Sequence, residues 1–342
     1  MDNSLSTKIQ TVTGLIEPTT LGITLAHEHL YMEYPMLLEE TENSHIPMTL
    51  ENYGWISRNP WQHIPNLKLF DVEAVKADLM DFKKFGGSAV VECTTKGLKR
   101  DIQAVKKISE ETGVKVVAGA GYYVDSAHPP EMIGMSVEDI AESIKEEVLV
   151  GYDGVKCGLI GEIGCSWPLT DAERKVLKGA AIAQADLGCG VSIHPGRNHR
   201  APMEIIRILS EAGCNIDKVV ISHIDRTVQD YCTLMDLLDT TCYLEYDLFG
   251  VEVINYPLDE TIDFLSDSQR VAYIKRLVDD GFADKIVVAQ DIHTLHRLKK
   301  YGGHGFCHIL ENIVPKMLVR DISRDAINQI LISNPANWLL FT

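Results

Sequence analysis

From about residue 72 onward the chain repeats one unit: an amphipathic stretch of helical period, a glycine-bearing turn, then a short β-branched run. Val72 to Phe85 stops at Gly86-Gly87 before Ser88-Ala89-Val90-Val91-Glu92, and residues 98 to 112 stop at Gly113 before Val114 to Ala118. Thr170-Asp171-Ala172-Glu173 reads as a capping box opening the next helix. Strand candidates fall at 23–29, 88–94, 115–121, 157–163, 190–194, 218–223, 242–247 and 285–291. Apolar strands alternating with helices imply a parallel sheet covered on its faces, and eight of them predict an α/β fold of the closed (β/α)8 TIM-barrel type. No glycine-rich phosphate fingerprint follows the first strand, which argues against a nucleotide-binding sheet. We expect one barrel-sized domain over 1–342. Residues 31–70, rich in aromatics and prolines, form an ordered excursion packed over one barrel end, because a structureless loop that long is unusual.

Bulk properties narrow the function. The net charge of −17 disfavours a broad nucleic-acid surface, and 45% hydrophobic content is ample for a core. No window approaches the roughly 20 apolar residues of a membrane span. Met1-Asp2-Asn3-Ser4-Leu5 carries no basic-then-apolar leader, and the eight cysteines form no CxxC pair. They read as buried thiols, and a cytoplasmic protein is expected.

The chemistry gathers at the C-terminal ends of the strands, where barrel enzymes keep their sites. In Ala26-His27-Glu28-His29-Leu30 the two imidazoles share a strand face while Glu28 turns away. Glu162 ends the fourth strand, His194 the fifth, His223 the sixth and Asp291 the eighth. Each alone reads as a rim or capping residue. Six such groups on one rim are costly to bury unless paired or metal-bound. Four His and two carboxylates suit two zinc- or manganese-type ions better than calcium. Two such cations would share an acidified water, giving a bridging hydroxide for metal-assisted hydrolysis, with Asp291 as proton carrier. His293, His296, His304 and His308 crowd the stretch after the eighth strand.

Several long strings carry a family resemblance: Thr24-Leu25-Ala26-His27-Glu28-His29-Leu30, Ile160-Gly161-Glu162-Ile163-Gly164-Cys165-Ser166-Trp167-Pro168-Leu169-Thr170, Ile193-His194-Pro195-Gly196-Arg197-Asn198, Ser222-His223-Ile224-Asp225-Arg226-Thr227 and Tyr301-Gly302-Gly303-His304-Gly305. The chain resembles the phosphotriesterase-like branch of the metal-dependent amidohydrolase superfamily, and within it the phosphotriesterase-related subgroup. The resemblance implies His27, His29 and Asp291 on a more buried metal and His194 and His223 on a more exposed one. It implies zinc first, with manganese or cobalt as alternatives. It also implies that most of His293, His296, His304 and His308 line the pocket or brace its loop. Where lysine-bridged relatives carry a carboxylated lysine, Glu162 would bridge; Lys156 lies at the other end of the strand. The shorter side chain requires a bend near Gly161, which the flanking glycines permit.

The subgroup is associated with N-acyl taurine hydrolysis, N-acetyltaurine above all, so a small anionic N-acyl substrate is expected. Arg226, or Arg197 with Asn198, would clamp its anion, a surface salt bridge being the alternative for Arg226. Tyr123 matches the lactonase position near the reacting carbonyl. The seventh-strand Arg of those lactonases is Leu248 here, which counts against the rival lactonase or phosphotriesterase reading. An inactive metal-bearing scaffold is the rival of another class. Homodimerisation is left open.

Overall fold

Eight apolar strands, each too short to stand alone, bury one face on the barrel interior and the other under helices. A computed structural model describes residues 7–35, 38–252 and 256–342. In it β1 (Ile23–Glu28), β2 (Gly87–Glu92), β3 (Lys115–Ala120), β4 (Leu159–Gly164), β5 (Gly190–His194), β6 (Val219–Ile221), β7 (Tyr243–Tyr246) and β8 (Ile286–Val288) follow one another in a single sheet. Every pairing within that sheet is parallel. The last strand returns to the first. The Asp291 amide donates to the His27 carbonyl at 3.1 Å, and the Glu28 carboxylate accepts the amides of Gln290 and Ile292 at 2.9 Å each. Glu28 does turn away from its histidine neighbours, and it staples the closure.

Helices α1 (Val72–Lys84), α2 (Ile102–Thr112), α3 (Val137–Leu149), α4 (Asp171–Leu187), α5 (Ala201–Glu211), α6 (Tyr231–Leu238), α7 (Asp267–Asp279) and α8 (Val314–Val319) surround the sheet. The Thr170–Glu173 capping box opens α4, and Gly188, at φ +69°, ends it where a side chain would strain. Val90, Val116, Ile160 and Val191 face the helices, while Val91, Val117, Leu159, Val220 and Val287 fill the interior. Near the strand starts, Ile9 of an N-terminal hairpin packs with Trp338 and Leu339, sealing the end opposite the strand-end histidines. All eight expected strands are present, within a few residues of their expected bounds.

The excursion after β1 is ordered wherever it is described, residues 36 and 37 lying outside the described set. It contains the helix Leu50–Ile56, two helical turns, and a short antiparallel ladder of Met32–Glu33 with Lys68–Leu69. Asn66 fastens it to the loop after β8, accepting the His296 amide at 2.8 Å and donating to the Pro60 carbonyl at 3.0 Å.

Two local features aim the site. The bend expected in β4 is there: Gly161 has φ +114°, and the β4–β5 register shifts between Ile160 and Ile163. A Cβ on Gly119 would stand 1.6 Å from the Gly161 carbonyl, so β3 must be bare at that point. On the other side, Arg270 of α7 is fully buried and reaches inward. It donates to Asp225 at 2.6 Å, to Asp267 at 2.9 Å and to the Val251 carbonyl at 3.1 Å. Asp225 also accepts the Leu248 amide, so this pair locks the loops after β6 and β7 together. Arg270→Met would strand the Asp225 charge, and we expect a loss of about 3–5 kcal/mol. Thermal unfolding should show a midpoint lowered by several degrees; an unchanged midpoint would mean that Asp225 is neutralised by another group.

Candidate metal centre

The six groups singled out on the strand ends meet around Glu162. One of its oxygens stands 3.0 Å from His194 Nδ1 and 3.7 Å from the Nε2 atoms of both His27 and His223. The other is 3.5 Å from His29 Nε2. Asp291 closes the ring, with Oδ1 3.3 Å from His29 Nε2 and 3.9 Å from His27 Nε2. All six residues are buried. Burial alone would push the Glu162 carboxyl up, but His27, His194 and His223 outweigh it and hold it well below the usual carboxylate range.

Backbone conformation sets these directions. His223 and Asp291 both adopt left-handed φ, +54° and +51°, a region non-glycine residues rarely use. Each lies just beyond its strand, and the twist turns its side chain into the mouth. Arg297 holds the second of these turns, its guanidinium donating to the carbonyls of Asp291, Gln290 and Phe249. In β1 the register against β2 shifts between Leu25 and Glu28, beside the point where His27 and His29 converge, ring centroids 5.6 Å apart.

The donor set fits divalent cations. Ligand atoms of His27, His29 and Asp291 cluster within 4.8 Å of one another, and so do those of His27, Glu162 and His223. His27 Nε2 has no hydrogen-bond partner although its ring is fully buried. A ring nitrogen sealed from water and facing two carboxylates is a position that a bound cation would satisfy. Imidazole with carboxylate is a donor mixture that suits zinc or manganese. Lys156 precedes β4 and is not among the residues lining the cavity, so Glu162 alone of these two reaches the centre.

Above the ring lies a cavity of about 60 Å³. Tyr123, Arg197, Arg226 and Leu248 line it, as do Tyr34 and Trp61 from the excursion and His293 after β8. Arg226 is not at a surface salt bridge. It is 5% exposed and donates to Thr227 Oγ1 and the Pro195 carbonyl, with His194 Nε2 at 3.3 Å. Burial and neighbouring Arg197 pull its guanidinium below its ordinary value, against Tyr256. Arg197 lies over the Tyr256 ring and donates to its hydroxyl at 2.6 Å. Among the described residues neither guanidinium is ion-paired to a carboxylate. Tyr123 Oη is 3.5 Å from His194 Nδ1.

Asn198 departs from the expected clamp. Its side chain accepts the Arg200 amide at 2.9 Å, at the start of α5, and it is absent from the cavity wall. Asn198 is close to Arg197 in sequence, but the turn into α5 directs it elsewhere. The four late histidines divide: His293 stacks on Trp61 beside Asp291, His296 leans on Asn66, and His304 and His308 line a neighbouring cleft. Sequence reasoning passed over Tyr34, Trp61, Tyr256 and Arg297. The aromatic richness of 31–70 was the available signal for the first two.

Residues 7–339 match the model of the phosphotriesterase family. The chain is 52% identical over 347 aligned positions to a protein of Bos taurus named N-acetyltaurine hydrolase, covering 99% of each. Among solved structures it superposes on a resiniferatoxin-binding protein from Rhodobacter sphaeroides with TM-score 0.94 at 29% identity, covering 98% of this chain and 96% of that one. A phosphotriesterase homology protein from Escherichia coli, complexed with phosphate in its active site, aligns with TM-score 0.77 at 25% identity, over 95% of this chain and 100% of that one. A barrel with its histidines and carboxylates at these strand ends, matched along nearly its whole length, places this chain in the phosphotriesterase family.

Proposed function

We propose that the chain is a dinuclear metal hydrolase that cleaves the amide bond of short N-acyl taurines, N-acetyltaurine first. The observation that carries the anionic substrate is the pair Arg197 and Arg226. Two like charges in one cavity wall, Arg226 buried and Arg197 half-buried, have no carboxylate partner among the described residues, and they repel unless a ligand anion joins both. A sulfonate offers three oxygens to two guanidiniums, and the full-length relatives named N-acetyltaurine hydrolase point the same way.

On this reading His27, His29 and Asp291 hold one cation, His194 and His223 the other, with Glu162 shared between them. We favour zinc for its fit to imidazole with carboxylate. Bound there, two divalent ions would acidify water and polarise the scissile carbonyl. Asp291 accepts the proton from the attacking water at a carboxylate oxygen and returns it to the departing amine. Tyr123, its hydroxyl beside His194, orients the carbonyl oxygen. Trp61 and Tyr34 roof the cavity against water, which makes the excursion part of one hydrolase unit. Leu248 in the wall weighs against the lactonase alternative, because it offers no donor where those enzymes carry an arginine. Among the described residues no helix is long and apolar enough to cross a membrane.

Two substitutions test the scheme. Glu162→Ala should lose at least one metal per chain by elemental analysis and reduce N-acetyltaurine hydrolysis to background; full metal content with near-normal turnover would remove Glu162 from the bridge. Arg226→Ala should raise KM for N-acetyltaurine roughly 10–100-fold, the range for a lost charge-assisted hydrogen bond. Its effect on a neutral acetate ester should be under about threefold, since that substrate has no anion to hold. Equal effects on both would mean that Arg226 supports the fold instead of the substrate.

A further inference from the structure

Glu245 is the buried ionisable group that the chemistry above leaves without a part. It lies on β7, two residues before Asp247 and paired in register with Val287. The interior around its level is filled by apolar side chains, Val117, Val220 and Val287 among them. Its side chain is 0% exposed. A carboxylate buried among such neighbours costs several kcal/mol unless something polar answers it. Here that is His27: Glu245 Oε2 stands 3.2 Å from its Nδ1, and Oε1 has no partner among the described residues.

A neutral imidazole carries one proton on one ring nitrogen. With Nδ1–H donated to Glu245, the lone pair is on Nε2, the atom that faces Glu162 and Asp291. The pattern recurs around the ring. His223 Nδ1 faces Asp247 at 3.0 Å with Nε2 toward Glu162, and His29 Nδ1 meets the Thr94 hydroxyl at 2.8 Å, itself bonded to Glu92. Asp247 Oδ2 lies farther from His27 Nδ1, at 3.5 Å, and makes no hydrogen bond to it, whereas the 3.2 Å contact to Glu245 is one. That leaves Glu245 as the acceptor for His27.

We propose that Glu245 is a positioning residue of the cation centre: it accepts the His27 Nδ1 proton from within the barrel and so fixes the rotation and tautomer that present Nε2 to the cation. The inference rests on the dinuclear reading and deepens it. His27, Glu245 and Asp247 also lie close enough to hold an ion themselves, an occupant the same experiment separates.

The test uses zinc, counted per chain after dialysis, with affinity read by competition against a chromogenic chelator. Glu245→Met keeps the volume and removes the acceptor; Glu245→Gln keeps volume and acceptor but removes the charge. We expect the Met variant to bind zinc 10–100-fold more weakly and the Gln variant to stay within about threefold of the parent. Parent-like affinity in the Met variant would reduce Glu245 to packing. Equal loss in both would mean that charge matters and the acceptor does not, and a parent stoichiometry of three zinc ions would make Glu245 a cation ligand in its own right; either result overturns the proposal. A parent that binds no zinc would instead overturn the dinuclear reading. Should the Met variant fail to fold, long-range 15N–1H spectra of the zinc-loaded parent decide the matter. They must show His27 protonated on Nδ1, and a bare Nδ1 overturns the proposal.

Discussion

A carboxylate cannot stay buried among four imidazoles and a second carboxylate unless positive charge joins them. Glu162 is 2% exposed, with nitrogen atoms from His27, His29, His194 and His223 between 3.0 and 3.7 Å away. Hydrogen bonds among these groups satisfy some of them, but not His27 Nε2. The remainder of the barrel mouth is arranged around that constraint. Gly161 bends β4, Gly119 makes room for it, and left-handed turns at His223 and Asp291 point their side chains inward. Arg297 and Glu28 then hold the backbone on which Asp291 depends. None of these devices improves core packing, and several of them strain or interrupt a strand. Their common effect is to bring one set of donor atoms together.

The mouth separates its charges by depth. Carboxylates occupy the ring and the interior beneath it, whereas Arg197 and Arg226 stand in the wall above. A barrel whose net charge is −17 would by itself repel an anionic substrate at long range. In a recessed cavity the nearest charges weigh most, because screening is weaker there than at the open surface. Arg197 and Arg226, both in the cavity wall, therefore outweigh a distant acidic surface there. Tyr256 keeps Arg197 in place without neutralising it, which a carboxylate would do.

Much of this was legible before any coordinates, for a reason that can be stated. Helical period, turn glycines and β-branched runs are local signals, and a (β/α)8 barrel is built from local repeats, so all eight strands could be read from them. Parallel strands put their C-terminal ends on one rim, so His27, His29, Glu162, His194, His223 and Asp291 could be grouped without knowing a single distance. The walls were less legible. Tyr34 and Trp61 come from an excursion with no period, and Tyr256 from the long connection after β7. Asn198 shows the converse limit: one residue past Arg197, the chain has already turned to start α5. Arg226 lay between two readings because sequence alone does not give burial, and burial excludes the surface salt bridge.

Charge balance joins the ring to the wall. Glu162, Asp291, Glu245 and Asp247 are carboxylates around or just beneath the imidazoles, and two divalent cations bound there would offset their charge. The histidines then need no protons, which leaves their lone pairs free for the cations. Arg270 answers Asp225, and Arg297 sits near Glu28, so those cations are already matched. Arg197 and Arg226 are left over. A substrate that brings one anionic group into the cavity would meet positive charge in its wall that no carboxylate of the described residues pairs with. A neutral ester or lactone gains nothing from that wall. Discrimination between these substrates therefore follows from which charges the fold leaves unmatched, before any contact with the acyl group is considered.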